Sequence, residues 1–206
     1  MYKVLVVDDH ESVCDSLETA LAGTGEFVVV GRTPSALHTE IFCEKLCPDL
    51  VFIDICTKGK ASGLEAIKIL RKKFPDIKII AMSGYDEISY APRSEEAGAH
   101  AFISKDNSLN YFREVAAGVM QGETFFPEAK TTFNLPRGEI ALTPREMEIL
   151  RLMCKPLTNK EIGIELGINE GTVKFHKVNI LAKTGFNNSM DLAFYAINHG
   201  LINPLF

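Results

Sequence analysis

Short, almost continuously apolar runs rich in β-branched residues recur along the first 120 positions, at 3–7, 27–31, 50–54, 78–82 and 101–104. Stretches with helical spacing separate them, at 12–21, 36–46, 64–74 and 88–97, and a fifth, 109–120, follows the last run. A strand that is apolar at every position is covered on both faces, and strands alternating with helices build a parallel sheet. Five such units predict a doubly wound α/β domain whose site lies at the carboxyl ends of its strands. Pro92 falls inside the fourth helical stretch. Proline is tolerated only in the first turn of a helix, so that helix is expected to start late.

The rhythm stops between Gly118 and Gly138, where Gly122, Pro127 and Pro136 accompany adjacent phenylalanines, Phe125 and Phe126. This composition reads as a linker, with the phenylalanines packed against one of the flanking domains. Beyond Ile140 the pattern is wholly helical. Thr143-Pro144-Arg145-Glu146 is a capping box with proline at the first helical position, and Thr158-Asn159-Lys160-Glu161 is a second capping box. Gly167 stops that helix, Asn169 is placed to cap a third reaching about 184, and a last helix covers about 190–199. The expected organisation is a five-stranded parallel α/β domain at 1–121, a linker at 122–138, and a small all-α four-helix domain at 139–206.

Composition narrows the picture further. The 206 residues are 46% apolar and 24% charged, ordinary for one or two soluble domains. No window approaches the roughly 18 apolar residues of a membrane span, and Met1-Tyr2-Lys3 leads straight into a strand. A cytoplasmic protein without membrane association is therefore expected. The five cysteines, at 14, 43, 47, 56 and 154, include no C-x-x-C pair. No second Cys/His pair joins Cys43 and Cys47 to complete a zinc set, so reduced core thiols are expected. The net charge of −5 is uneven: residues 1–136 hold 14 basic and 20 acidic side chains, residues 137–206 hold 8 and 7. Whole-surface nucleic-acid binding is thereby disfavoured, whereas a local basic patch on the second part is compatible with these counts.

Candidate chemistry gathers at the strand ends. Asp8 and Asp9 end the first strand and Asp54 the third, so a parallel sheet brings three carboxylates to one crevice. Carboxylates so placed raise one another's pKa. A hard divalent cation bound by oxygen relieves this, and the set suits Mg²⁺ with several waters retained. Lys105 and Ser83 bring an ammonium and a hydroxyl to the same rim. In that setting a carboxylate can attack a phosphoryl group to form an acyl phosphate, while metal and lysine neutralise the equatorial oxygens. Any one of these residues alone is commonplace; their joint placement at strand ends is not.

This constellation, with Ser83-Gly84 and Gly98-Ala99-His100-Ala101-Phe102-Ile103-Ser104-Lys105, resembles the receiver domain of bacterial two-component response regulators, a CheY-like fold of flavodoxin type. The resemblance implies that Asp54 is the phosphoacceptor for a sensor histidine kinase. It implies Mg²⁺ held by Asp8, Asp9, Asp54 and the Cys56 carbonyl, and a switch formed by Ser83 and Phe102 with Lys105. The segment Asp54-Ile55-Cys56-Thr57-Lys58-Gly59-Lys60-Ala61-Ser62-Gly63 departs from the family: it lacks the usual Met-Pro, is one residue longer, and adds Lys58 and Lys60. Without the stiffening proline, this loop is expected to be more mobile or differently shaped.

Helix 158–166, a turn at Gly167 and a helix from 170 form a helix-turn-helix pattern, with Ile162, Leu166, Ile168 and Val173 as the apolar contacts and Gly163 where the helices cross. Projected at about 100° per residue, Val173, Ile180 and Thr184 share the core face. Lys174, Phe175, Val178, Asn179 and Ala182 lie opposite, flanked by Lys177 and Lys183. Outward Phe and Val on a lysine-bearing helix suit thymine methyls, with lysines reaching phosphates or guanine edges. The strings Leu142-Thr143-Pro144-Arg145-Glu146 and Leu166-Gly167-Ile168-Asn169-Glu170-Gly171-Thr172-Val173-Lys174-Phe175-His176 resemble the LuxR-type domain of NarL/FixJ response regulators. The resemblance implies that Lys174, Phe175 and Val178 face the major groove of double-stranded DNA. It implies backbone contacts from Thr158, Asn159, Lys160, Thr172, Lys177 and Lys183, and a homodimer. His176 is expected to be a packed core-edge residue. The sequence thus predicts a DNA-binding transcriptional regulator, not an enzyme, activated by Mg²⁺-dependent phosphoryl transfer to Asp54. The alternative is a phosphorylation-independent regulator whose receiver serves dimerisation or docking.

Overall fold

The structure, a computed structural model, describes residues 1–57, 62–84, 87–127, 132–135, 138–199 and 201–202. It divides into two compact units, Met1–Glu128 and Ala129–Phe206. In the first, strands β1 (Tyr2–Val7), β2 (Phe27–Thr33), β3 (Leu50–Asp54), β4 (Lys78–Ser83) and β5 (Ala101–Ser104) form one sheet in the order β2-β1-β3-β4-β5. Every pairing is parallel. The crossovers are α1 (Glu11–Ala22), α2 (Thr39–Leu46), α3 (Gly63–Lys73) and α4 (Glu87–Ala97), and α5 (Leu109–Met120) follows the last strand.

Alternate strand residues serve opposite faces. Val4, Val6, Leu50, Phe52, Ile80, Met82, Ala101 and Ile103 pack with Leu17 and Leu21 of α1 and Phe112, Val115 and Val119 of α5. The intervening Leu5, Val7, Val51, Ile53, Ile79, Ala81 and Phe102 are equally buried. Burial on both faces is why these strands read as unbroken apolar runs.

Two helical expectations are corrected. The stretch 36–46 is not one helix: a 3-10 turn at Ala36–His38 precedes α2, with the Thr39 hydroxyl donating to the Ala36 carbonyl at 2.9 Å. Nor does α4 start late. It begins at Glu87 and holds Pro92 in its interior. Tyr90 and Ala91, 1% and 2% exposed, anchor the preceding turn in the core, and this burial outweighs the backbone hydrogen bond that proline cannot donate.

The stretch 122–138 contains more regular structure than a linker implies. Phe125 forms a parallel bridge with Ala101, which fits the expectation that a phenylalanine here packs on a neighbouring domain. Further on, β6 (Thr132–Leu135) pairs antiparallel with β7 (Gly138–Ala141). Four-residue strands are too short to show a period in sequence.

The second unit continues with α6 (Pro144–Met153), α7 (Asn159–Leu166), α8 (Glu170–Thr184) and α9 (Ser189–Asn198). Both predicted capping boxes form, at Thr143/Glu146 and Thr158/Glu161, and the Asn169 side chain accepts from the Thr172 amide at 2.8 Å. Gly167 ends α7 at φ 64°, a left-handed conformation that glycine adopts freely. Leu152, Ile162 and Val173 form the buried centre, with Leu166 and Ile168 against it. A Cβ at Gly163 would stand 2.6 Å from the Ile168 carbonyl oxygen, so close backbone approach dictates glycine there. Among the described residues no helix is long and apolar enough to cross a membrane.

Candidate functional site

The register places the acidic residues. Val7 pairs with Ile53, so Asp8, next after Val7, stands beside Asp54 at the carboxyl edge of the sheet. Side-chain ligand atoms of Asp8, Asp9, His10 and Asp54 all lie within 4.8 Å of one another. The Asp8, Asp9 and Asp54 side chains are 0%, 5% and 2% exposed. Lys105, one residue past β5, puts its Nζ 2.8 Å from both Asp8 Oδ2 and Asp54 Oδ2. The Cys56 amide donates to Asp54 Oδ1 at 3.0 Å. His10 donates its amide to Asp8 Oδ1 at 2.9 Å, and its ring Nδ1 lies 3.1 Å from the same oxygen.

Burial pushes the Asp54 carboxyl above its ordinary range, although the Lys105 ammonium and the Cys56 amide pull the other way. For Lys105, burial opposes the charge, but attraction and hydrogen bonds from Asp54 and Asp8 outweigh it and raise the ammonium's pKa. The carboxylates therefore hold the Lys105 charge at a desolvated site, whereas for Asp54 desolvation outweighs the ammonium. The donor set fits a hard divalent cation: among the described residues, three carboxylates, with His10 beside them, face one ammonium.

Ser83 is fully buried at the end of β4, and Phe102 is 2% exposed. Phe102 pairs with Ala81 and Ser104 with Ser83, so the Ser83 and Phe102 side chains share one face of the sheet. Three residues escaped the sequence reading. His10 adjoins the cluster. Thr57, 2% exposed, accepts the Ala36 amide at 3.2 Å and ties the start of the loop after Asp54 to the 3-10 turn. Gly63 lets α3 start against the Asp54 backbone, since a Cβ there would lie 2.4 Å from the Asp54 carbonyl oxygen. Only His10 had a sequence signal, its adjacency to Asp8-Asp9. Lys58 and Lys60 lie outside the described residues.

On the second unit, Val173, Ile180 and Thr184 are buried along α8, as projected, and His176 is partly buried. Phe175 and Val178 are 63% and 64% exposed. Lys174 is exposed and pairs with Glu170 at 2.7 Å. Lys177 reaches back to Asn159 Oδ1 at 2.9 Å, and partial burial lowers its pKa. Lys183 donates to Glu146 Oε2 at 2.7 Å. Burial opposes ionisation of Glu146, but Lys183 and Thr143 outweigh it and hold the carboxyl below its ordinary range. The Thr158 hydroxyl bonds Glu161 at 2.6 Å, whereas Lys160 stands exposed. Among the lysines predicted to touch DNA, three thus already have intramolecular partners.

Residues 4–117 match the response regulator receiver domain, and residues 141–196 match the luxR family of bacterial regulatory proteins. The chain belongs to the response-regulator family. It is 31% identical over 207 residues to the transcriptional regulatory protein MctR of Rhizobium johnstonii, covering 98% of this chain and 96% of that protein. It is 32% identical over 206 residues to the response regulator protein VraR of Staphylococcus aureus, covering 97% and 98%. A solved structure of two RcsB dimers bound to two parallel DNAs shares the fold at 21% identity, with a TM-score of 0.66 over 94% of this chain and 96% of that one. RcsB from Salmonella enterica serovar Typhimurium, bound to promoter rprA with the phosphomimetic BeF3-, matches at 20% identity and a TM-score of 0.64, covering 95% and 98%. This response regulator therefore joins a receiver to a LuxR-type DNA-binding domain, and its family regulates transcription rather than acting as classical enzymes.

Proposed function

We propose that this response regulator is controlled by phosphorylation of Asp54. The observation that carries the reading is Lys105, whose Nζ stands 2.8 Å from an oxygen of Asp8 and of Asp54. That geometry holds an ammonium where transferred phosphoryl oxygens would carry charge. In the transfer, an Asp54 carboxylate oxygen bonds to phosphorus while the phosphorus–nitrogen bond of a sensor histidine kinase's phosphohistidine breaks. Asp8, Asp9, Asp54 and the Cys56 carbonyl would hold Mg²⁺, which when bound neutralises phosphoryl oxygens. Lys105 then exchanges its carboxylate partners for a phosphoryl oxygen, and the Ser83 hydroxyl donates to another. Phe102, on the Ser83 face of the sheet, reports the change.

The output is binding of double-stranded DNA in the cytoplasm. On α8, exposed Phe175 and Val178 meet thymine methyls in the major groove, with Lys174 beside them. Thr158, Asn159, Lys160, Thr172, Lys177 and Lys183 serve the backbone. A homodimer is supported by the RcsB dimers on DNA; it would read half-sites about 10 bp apart or a multiple of that. Met190 and Phe194, one turn apart on α9 and 80% and 68% exposed, offer a second copy an apolar face. The alternative, a receiver that docks without phosphorylation, draws on the missing Met-Pro; the buried Thr57 anchor removes part of its motivation.

The test is phosphoryl uptake from labelled acetyl phosphate with Mg²⁺. Wild type takes up label and Asp54→Ala does not. Undiminished uptake by the variant rejects the site.

A further inference from the structure

The receiver unit does not finish at the end of α5. Gly122, at φ 95°, reverses the chain, and the Glu123 amide donates back to the Gly118 carbonyl at 2.9 Å. The next residues run along the outer edge of β5. There the Phe125 amide donates to the His100 carbonyl at 3.2 Å, and the Phe102 amide donates to the Phe125 carbonyl at 2.8 Å. Residue 125 thus satisfies groups that an edge strand otherwise leaves to water. Its ring packs on the core cluster containing Ala101 and Ile103. The ring fits because position 118 is glycine: a Cβ there would come within 2.5 Å of it.

Phe102 is also the aromatic proposed above to sense the pocket. Its strand is held by β4 on one side and by Phe125 on the other. The compact receiver unit ends at Glu128, three residues after Phe125. One segment therefore bonds to the sensing residue and leads directly to the DNA-binding unit.

We infer that Phe125 is a positioning residue that couples the pocket to the DNA-binding unit. While the Phe102 amide donates to it, the segment after α5 is docked along β5. When β5 shifts with the state of Asp54, that pairing is remade or lost, and the tether carrying the second unit is shortened or released. Two hydrogen bonds and one ring are few enough for a shift in a single strand to tip. This inference depends on the phosphorylation reading.

The experiment uses the full chain and a duplex that this chain selects from a random DNA pool. Beryllofluoride with Mg²⁺ stands in for the phosphoryl group. Pocket occupancy is read by ¹⁹F NMR and DNA affinity by fluorescence anisotropy. Wild type gains at least about fivefold in affinity, the lower end of ordinary allosteric coupling. Phe125→Ala loads beryllofluoride as wild type does, yet its gain falls below about twofold, and its Phe102 amide exchanges hydrogen faster. Phe125→Leu, which keeps the backbone pairing and an apolar side chain, recovers most of the gain. Gly118→Ala, which displaces the ring without altering it, uncouples in the same way and serves if Phe125→Ala does not fold. A full wild-type gain in both Phe125→Ala and Gly118→Ala overturns the coupling role alone. No gain in wild type, with the pocket loaded, overturns the phosphorylation reading and the coupling with it.

Discussion

Replacing Lys105 by Met removes the one ammonium that, among the described residues, faces the acidic cluster, and keeps most of the side-chain volume. In the absence of divalent cations the variant must hold Asp8, Asp9 and Asp54 together without that counter-charge. Removing one partner of a buried ion pair costs about 3–5 kcal/mol. Lys105 is 12% exposed, which points to the low end, about 3 kcal/mol. For a unit of this size that corresponds to a drop of roughly 10 °C in melting temperature. The variant has one escape, protonation of Asp54, whose pKa burial already raises. A carboxyl whose folded pKa is raised binds more protons folded than unfolded, so its contribution is fully present below the unfolded pKa and is lost as pH rises through the folded one. The deficit of Lys105→Met should therefore grow from pH 5 to pH 8. Freed of competition from Lys105, the carboxylates should bind magnesium more tightly in the variant, and each tenfold gain in affinity over wild type repays about 1.4 kcal/mol of the deficit at saturation. The assay is thermal melting of the receiver transition in chelator and in millimolar MgCl₂ across that pH range. Equal melting of variant and wild type in chelator, or a deficit that magnesium leaves untouched, would refute the electrostatic account of the pocket.

Other expectations follow from single contacts. His100 accepts the Ile79 amide through Nδ1 at 3.1 Å, and burial, with Lys78 and Arg71 nearby, lowers its pKa from 6.5 to about 4. Its contribution is present above pH 6.5 and is lost as pH falls toward 4; for a partly buried ring, discounted for solvent screening, this is on the order of 1–2 kcal/mol. Urea midpoints at pH 7.5 and 4.5 should differ less in His100→Leu than in wild type, and an equal difference contradicts the assignment. Gly163→Ala drives a Cβ toward the Ile168 carbonyl and should destabilise the second unit by about 1–3 kcal/mol; an unchanged melting midpoint for that unit is the contrary result. Lys160→Ala should lower the slope of log affinity against log salt by about 0.9. Lys183→Met should lower it less, because its ammonium is bonded to Glu146; the opposite ranking would show that Lys183 leaves Glu146 on DNA.

The pocket was legible because parallel topology alone brings the ends of β1, β3, β4 and β5 together, so Asp8, Asp9, Asp54, Ser83 and Lys105 needed only to be placed on strands. Helix α8 was legible because its caps and its buried face are local features of sequence. Contacts between distant positions were not. Nothing near Thr57 announces its bond to Ala36, nothing near Lys183 announces Glu146, and a one-residue strand at Phe125 has no period to detect. Pro92 misled because local propensity forbids what tertiary burial of Tyr90 and Ala91 permits. The β6–β7 pairing was missed because Pro136 and Gly138 read as breakers, whereas Gly138 opens β7 and pairs with Leu135.

The central claim is that filling the Asp54 pocket changes the affinity of the DNA-binding unit. Anisotropy of a selected duplex, titrated with the full chain with and without beryllofluoride and Mg²⁺, tests it most directly. The account predicts a gain of about fivefold or more in wild type, abolished by omitting Mg²⁺ and absent in Asp54→Ala. Identical binding curves under all these conditions would contradict it.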